Sequence, residues 1–251
     1  MLSETHNFIV REALKLTGKK FKGYEKFIEK GCIKEDHPSF TFDYGFQILG
    51  TDHFYHPIKK KGYFSFSGDA KKRGLSYFNK AVYIHRKGDK EEAFILLGKA
   101  LHMLADTASP SHTKLEFHLV DIFEHYINNN IPHLKFSIKS KIIPRINPSH
   151  CFDRLAKKSF KVKFRKRFFL DILHMLGIKN LNKERHKQLH KISNKLISST
   201  IIYSAVLLSL FYSKTNEKSV KNKTKEKIEK IRTKAKEIKQ EIKDKSKKVL
   251  R

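Results

Sequence analysis

The segment from residue 101 to 112 places two histidines and an aspartate around the end of a predicted helix. His102 and Asp106 are four residues apart, so on a helix their side chains share one face. Pro110 is expected to end that helix, and His112 follows closely enough to fold back over its end. Imidazole nitrogen and carboxylate oxygen are ligands that zinc accepts. The segment therefore predicts a metal site, although a hydrogen-bonded His–Asp pair on a polar helix face would show the same spacing.

Apolar residues three or four positions apart predict helices along most of the chain, and no segment alternates as a strand does. The predicted helices cover residues 5–16, 25–30, 69–87, 90–108, 117–128 and 183–211. Gly31 is expected to end the second of them. The uncharged stretch 196–212 falls short of the ~20 residues of a spanning helix, which favours a buried core helix. The predicted fold class is all-α, a multi-helix bundle with a basic helical extension.

The charge of the chain indicates an anionic partner. Lys and Arg number 54 against 25 Asp and Glu, a net charge of +29. Such a balance favours nucleic acid, acidic lipid or a phosphorylated substrate. The two cysteines exclude a disulfide framework and a cysteine-based zinc motif, which leaves the 14 histidines as candidate ligands. The first residues lack the pattern of a secretory signal, so the expected location is cytoplasmic or peripheral to a membrane.

The last part of the chain differs in composition from the rest. Residues 214–251 contain 16 basic and 6 acidic residues and no aromatic ones, so we divide the chain into a helical domain, 1–213, and a basic tail, 214–251. Some apolar tail positions follow the spacing of a short coiled coil: Ile228, Ile231, Ala235, Ile238, Ile242 and Val249. The tail could self-associate through them, lie on an anionic membrane surface, or remain a solvated helix.

Four motifs follow one another between residues 3 and 127. They are a histidine in the first helix, a Gly-x4-Asp segment, a His-Phe-Tyr-x-Pro run and a His-x3-Asp-x5-His segment. Their residues are His6, Gly31 with Asp36, His53 with Pro57, and His102 with Asp106 and His112. In this order the motifs resemble those of the zinc-dependent phospholipases C of bacilli and clostridia, and four matches in one order make coincidence a poor explanation.

The resemblance implies an α-helical body that holds zinc ions in a cleft. By position, it assigns one zinc to Asp36, His53, His102 and Asp106, a second to His112, His118 and Glu124, and a third to Asp106 with His6. In the family the third site also uses an N-terminal tryptophan. This chain has no tryptophan, so two zinc ions are expected and the third is in question.

The activity that the resemblance implies is phospholipase C: hydrolysis of phospholipid to diacylglycerol and a phosphorylated headgroup. A zinc-activated water would attack the phosphorus. Asp36 is the candidate catalytic residue, since its carboxylate could orient that water or accept its proton. Any phosphodiester would suit such a site.

The end of the ligand set departs from the family pattern. The family has His-x3-Glu, whereas His118 and Glu124 are six residues apart. Six residues along one helix place two side chains on different faces. His118 must therefore precede the helix, or Asp121 replaces it as a ligand, with His125 as the remaining choice. The pair His186 and His190 lies outside the resemblance and is expected at the surface.

Two other functions stay open at this point. The fungal single-strand-specific nucleases share the His-x3-Asp-x5-His arrangement, and a charge of +29 suits nucleic acid. The second function is that of a relative that has lost catalysis and only binds lipid or nucleic acid. Zinc content and chelator-sensitive hydrolysis separate the enzymes from the binding protein.

Overall fold

The structure is a computed structural model. It describes residues 3–34, 51–63, 68–116, 121–134, 136, 146–163, 177–178 and 180–249, and the side chains in these ranges except those of residues 34, 51 and 217–249. Within them the chain is helical, with one isolated bridge between His56 and Lys61 and no strand. The predicted all-α class is confirmed.

Eight α-helices lie within the described ranges. They are α1 (Ser3–Thr17), α2 (Glu25–Lys34), α3 (Ala70–Lys87), α4 (Lys90–Asp106), α5 (Pro110–Lys114), α6 (Ile122–Asn130), α7 (Pro148–Phe160) and α8 (Lys183–Val249). Short 3-10 turns cover Gly18–Phe21, Thr51–His53 and Ile131–His133.

Helices α3 and α4 form a hairpin whose ends are set by local sequence. Asp69 accepts a hydrogen bond from the backbone N–H of Lys72 and caps α3, as an N-cap aspartate does. Gly88 ends α3 with φ of 106°, a left-handed conformation that glycine adopts without strain. Asp89 then caps α4 through the N–H of Glu92. The two helices therefore pack side by side.

Helix α4 is the central helix of the domain. Twelve of its 17 residues are buried, so it contacts neighbouring helices over most of its surface. It packs against α3 and α2, with further contacts to α1 and α7. Its apolar side chains Leu97, Leu101 and Leu104 are almost completely buried.

The prediction that Gly31 ends a helix is wrong, because α2 continues to Lys34. Gly31 and Gly98 instead lie where α2 crosses α4. A Cβ on Gly31 would lie 1.9 Å from the carbonyl oxygen of Ile95, and one on Gly98 would lie 2.1 Å from that of Ile28. The glycines let the two backbones approach closely, which a side chain would prevent.

The apolar part of α8 is a core helix. Leu196, Ile197 and Ile201 are fully buried. Among the described residues, the segment Lys183–Asn216 is the one helix long and apolar enough to cross a membrane, but two thirds of its apolar window (67%) is buried inside the protein. That burial agrees with the predicted core helix.

The chain divides into two compact units, Met1–Phe211 and Tyr212–Arg251. The first holds the apolar core and the predicted ligands. The second is helical to Val249. The boundary predicted at residue 213 and the coiled coil both stay predictions.

Candidate metal centre

The carboxylate of Asp106, at the last turn of α4, is the centre of a buried histidine cluster. Its Oδ2 lies 2.5 Å from His53 Nδ1 and 3.2 Å from His102 Nε2, and its Oδ1 lies 3.3 Å from His6 Nε2. His6, His102 and Asp106 are fully buried. Three imidazoles from three parts of the chain thus converge on both oxygens of one carboxylate.

His102 is oriented by the backbone of α2. Its Nδ1 lies 2.8 Å from the carbonyl oxygen of Cys32, to which it donates a hydrogen bond. That bond leaves Nε2 as the nitrogen with a lone pair, on the side of Asp106. A ligating histidine is usually held in this way, with its other ring nitrogen bonded to a carbonyl or carboxylate.

His6 lies parallel to His102, with ring centroids 4.0 Å apart. Neither ring nitrogen of His6 makes a hydrogen bond in the described structure. Burial and the neighbouring His102 lower the pKa of His6 to about 4. The imidazole is therefore neutral near pH 7, the form that binds a metal ion.

His53 belongs to the 3-10 turn Thr51–His53, which is held from two sides. On one side Asp52 forms an ion pair with Arg73 of α3. On the other, His112 Nδ1 donates a hydrogen bond to the carbonyl oxygen of His53 at 3.1 Å, and the N–H of Tyr55 donates to the carbonyl of His112 at 3.2 Å. The turn and the start of α5 therefore position each other.

His112 and Glu124 form a second pair of candidate ligands. The Nε2 of His112 lies 3.2 Å from the Oε1 of Glu124, and both side chains are largely buried. Because Nδ1 of His112 bonds the carbonyl of His53, one residue links the pair to the cluster around Asp106. The predicted His-x3-Asp-x5-His segment thus supplies residues to two groups: His102 and Asp106 to the cluster, and His112 to the pair with Glu124.

Asp121, the predicted substitute ligand, is the N-cap of α6. Its Oδ1 accepts a hydrogen bond from the N–H of Phe123 at 2.8 Å, and its Oδ2 accepts one from Ser109 Oγ at 3.2 Å. It therefore anchors the helix that carries Glu124. Helix α6 begins at Ile122, after residue 118, as the assignment of His118 requires. His118 and Asp36 lie outside the described residues, so their roles stay predictions. His125, the remaining candidate ligand, contacts Asn129.

Two features of the centre were missed by the sequence analysis. Cys32 lies with His6 and His102 in a group close enough to hold a metal ion, and a single cysteine in a helix gives no signal of this. Tyr55 donates a hydrogen bond to Asp153 at 2.6 Å, and Asp153 also pairs with Lys71. This network ties the segment after His53 to α3 and α7, between residues far apart in sequence.

The charge of the centre favours a cation. Burial alone would raise the pKa of the Asp106 carboxyl, yet that pKa lies well below its usual value, and the neighbouring His102 and His53 are among the groups that lower it. A buried carboxylate is costly unless it is paired or coordinates a metal. The donors His53, His102 and Asp106 lie close enough together to share one ion, and the unbonded His6 nitrogens would gain a partner. The residues present fit zinc.

A family model described as zinc dependent phospholipase C matches residues 5–250. The chain belongs to the zinc-dependent phospholipase C family. The resemblance inferred from the four motifs is confirmed, and zinc is the metal of this family.

Two sequence relatives of this family member are phospholipases C. One, from Listeria monocytogenes, is 29% identical over 119 residues, which is 43% of this chain and 40% of the relative. Another, from Bacillus cereus, is 40% identical over 85 residues, which is 34% of this chain and 29% of the relative. The matched stretches thus span less than half of either relative.

Solved structures share the fold of this phospholipase C family member. The alpha-toxin of Clostridium perfringens superposes with a TM-score of 0.59 at 15% identity, over 85% of this chain and 64% of the toxin. The alpha-toxin of Clostridium absonum gives 0.57 at 16% identity, over 84% and 63%. At these identities the likeness concerns the fold.

Proposed function

We propose that the protein is a zinc-dependent phospholipase C, which hydrolyses a phospholipid to diacylglycerol and a phosphorylated headgroup. The observation that carries the proposal is the convergence of His6, His53 and His102 on the Asp106 carboxylate. Family membership favours this function over the single-strand nuclease and over a purely binding relative.

The proposed zinc ligands follow the two groups. His53, His102 and Asp106 would hold one zinc together with Asp36, and His112 and Glu124 would hold a second together with His118. His6 would add a third site on the Oδ1 side of Asp106. When bound, zinc supplies a Lewis acid for the phosphoryl oxygen and lowers the pKa of water toward ~7.

The remaining chemistry rests on the chain. The hydrogen bonds from His102 to Cys32 and from His112 to His53 turn the Nε2 of His102 toward Asp106 and the Nε2 of His112 toward Glu124. Burial of Asp106 keeps competing water away from its oxygens, which strengthens their interaction with cations. Asp36 is proposed to orient the attacking water and to accept its proton.

Purified protein tests the proposal on two substrates. Phosphatidylcholine vesicles and single-stranded DNA would each be incubated with the protein, with and without a chelator. We expect diacylglycerol from the vesicles, its loss with chelator and its recovery when zinc is restored. Chelator-sensitive cleavage of DNA without diacylglycerol would indicate the nuclease instead. No hydrolysis of either, with fewer than two zinc ions per chain, would indicate a binding protein.

We infer in addition that the basic tail contacts an anionic membrane surface, which would place the enzyme at its substrate. The support is charge: residues 214–251 carry 16 basic and 6 acidic residues, and each basic side chain near an anionic surface contributes ~1 kcal/mol. Self-association through the tail is the competing outcome of the experiment given in the Discussion.

A further inference from the structure

Two histidines one turn apart on α8 lie against a buried tyrosine of α6. The rings of His186 and His190 are nearly parallel, with 13° between their planes and 6.2 Å between centroids. The hydroxyl of Tyr126 lies 3.2 Å from His186 Nε2 and 3.3 Å from His190 Nδ1. The same hydroxyl also lies 3.4 Å from His186 Nδ1, so ring nitrogens of two histidines on α8 meet one phenol oxygen of α6.

We propose that His186, His190 and Tyr126 form a binding site for a divalent transition metal ion, separate from the centre around Asp106. Imidazoles four residues apart on a helix face the same side, and imidazole is a good ligand for zinc, copper and nickel. The two imidazoles supply nitrogen lone pairs. The phenol oxygen supplies the third donor, and its proton passes to solvent as the ion binds.

The surroundings allow an ion to enter. His186 is exposed and His190 is half-buried, whereas Tyr126 is 1% exposed. A cavity of about 370 Å³ lies beside them, and its lining includes Asn129, Asn130 and Asn180. An ion could therefore reach the histidines from solvent while the tyrosine holds it from the buried side.

The position of Tyr126 on α6 separates this site from the catalytic cluster. Tyr126 follows Glu124 by two residues, a rotation of roughly 200° around a helix, so the two side chains leave α6 on opposite sides. Glu124 reaches His112, and Tyr126 reaches α8. An ion bound here would join α6 to α8 on the side of α6 that faces away from Glu124.

Zinc binding by the full chain tests the proposal. Apo protein would be titrated with zinc chloride by equilibrium dialysis, and bound zinc would be counted by elemental analysis. The variant H186N/H190N removes the two imidazoles, and H133N/H150N is the matched control, because His133 and His150 are exposed histidines elsewhere in the domain. We expect the first variant to bind one zinc fewer than the unmodified chain, and the control to bind the same number.

A second variant covers a loss of fold. Where circular dichroism shows that H186N/H190N has lost helix, Y126F removes a single oxygen and should weaken the same zinc by about tenfold. Unchanged zinc number and affinity in a folded variant would overturn the proposal and leave only His–Tyr hydrogen bonds. Hydrolysis by the zinc ions around Asp106 should persist in every variant, so this proposal and the proposed function fail separately.

Discussion

His102 and Cys32 are joined across two helices: Nδ1 of His102 donates to the carbonyl oxygen of Cys32 at 2.8 Å. Cys32 follows Gly31, and Gly98 precedes His102 by one turn, so both residues lie beside the glycine crossing of α2 and α4. Close helix packing therefore fixes the orientation of a candidate ligand. Stability and metal binding should be coupled at this crossing.

Replacing Gly98 with alanine should lower both the stability of the fold and the affinity for zinc. The new Cβ would lie 2.1 Å from the carbonyl oxygen of Ile28, so α2 must move away, and Cys32 with it. We expect the free energy of unfolding to fall by about 1–3 kcal/mol, as in overpacked cores, and zinc affinity to fall by about tenfold or more. Urea unfolding and competition with a zinc indicator measure these quantities. The control is E91A, an exposed position on the same helix. Unchanged zinc affinity in G98A would separate the crossing from the site.

The network of Tyr55, Asp153 and Lys71 should position His53. Tyr55 donates to Asp153 at 2.6 Å, and Lys71 lies 2.7 Å from the same carboxylate. Y55F removes a hydrogen bond to a charged group, so we expect a loss of about 1.5–3 kcal/mol of stability and weaker zinc binding. Unfolding and zinc titration of Y55F would be compared with Y83F, since Tyr83 is 58% exposed. Equal zinc affinities for the two variants would contradict a positioning role.

Metal-free protein should become less stable as the pH falls below 6.5, in part through His6. Burial and His102 lower the pKa of His6 from 6.5 to about 4, so between these values the unfolded chain binds a proton that the folded chain does not. Above pH 6.5 both states are neutral, and the contribution vanishes. The full effect is about 3 kcal/mol. Urea unfolding in chelator at pH 7 and pH 4.5 should show a smaller acid loss for H6N than for the unmodified chain. Parallel pH dependence would contradict a neutral buried His6.

Deleting residues 214–251 should weaken binding to anionic vesicles. We expect the full chain to bind vesicles containing phosphatidylserine in low salt and to release them as salt screens the charges. The truncated chain should bind weakly at every salt concentration. Vesicle sedimentation measures binding, and light scattering measures the mass of each chain. Vesicle binding that survives truncation would contradict the membrane role, and a halved mass on truncation would indicate self-association instead.

Local signals in the sequence predicted much of the fold. The predicted helices 69–87 and 90–108 agree with α3 and with the start of α4, because the caps Asp69, Gly88 and Asp89 act within one turn. The spacing of His102 and Asp106 likewise placed both side chains on one face. These features depend on neighbours in the chain, so they can be read without the fold.

Contacts between distant residues could not be predicted. Gly31 interrupts the helical pattern of its own segment, and only the backbone of Ile95 opposite explains why a glycine stands inside a helix. Cys32 acts on His102 through a backbone carbonyl, which any residue type supplies. Tyr126 contacts His186, 60 positions further along the chain. The expectation that His186 and His190 lie at the surface therefore did not include their contact with this buried side chain.

Zinc content per chain tests the central claim most directly. The full chain and D106N would be saturated with zinc, freed of excess by gel filtration and measured by elemental analysis, with D89N as a control for an exposed helix cap. The account predicts at least two zinc ions in the full chain and in D89N, and the loss of at least one in D106N, whose amide brings no negative charge to the histidines. Equal zinc content in D106N and the full chain would contradict it.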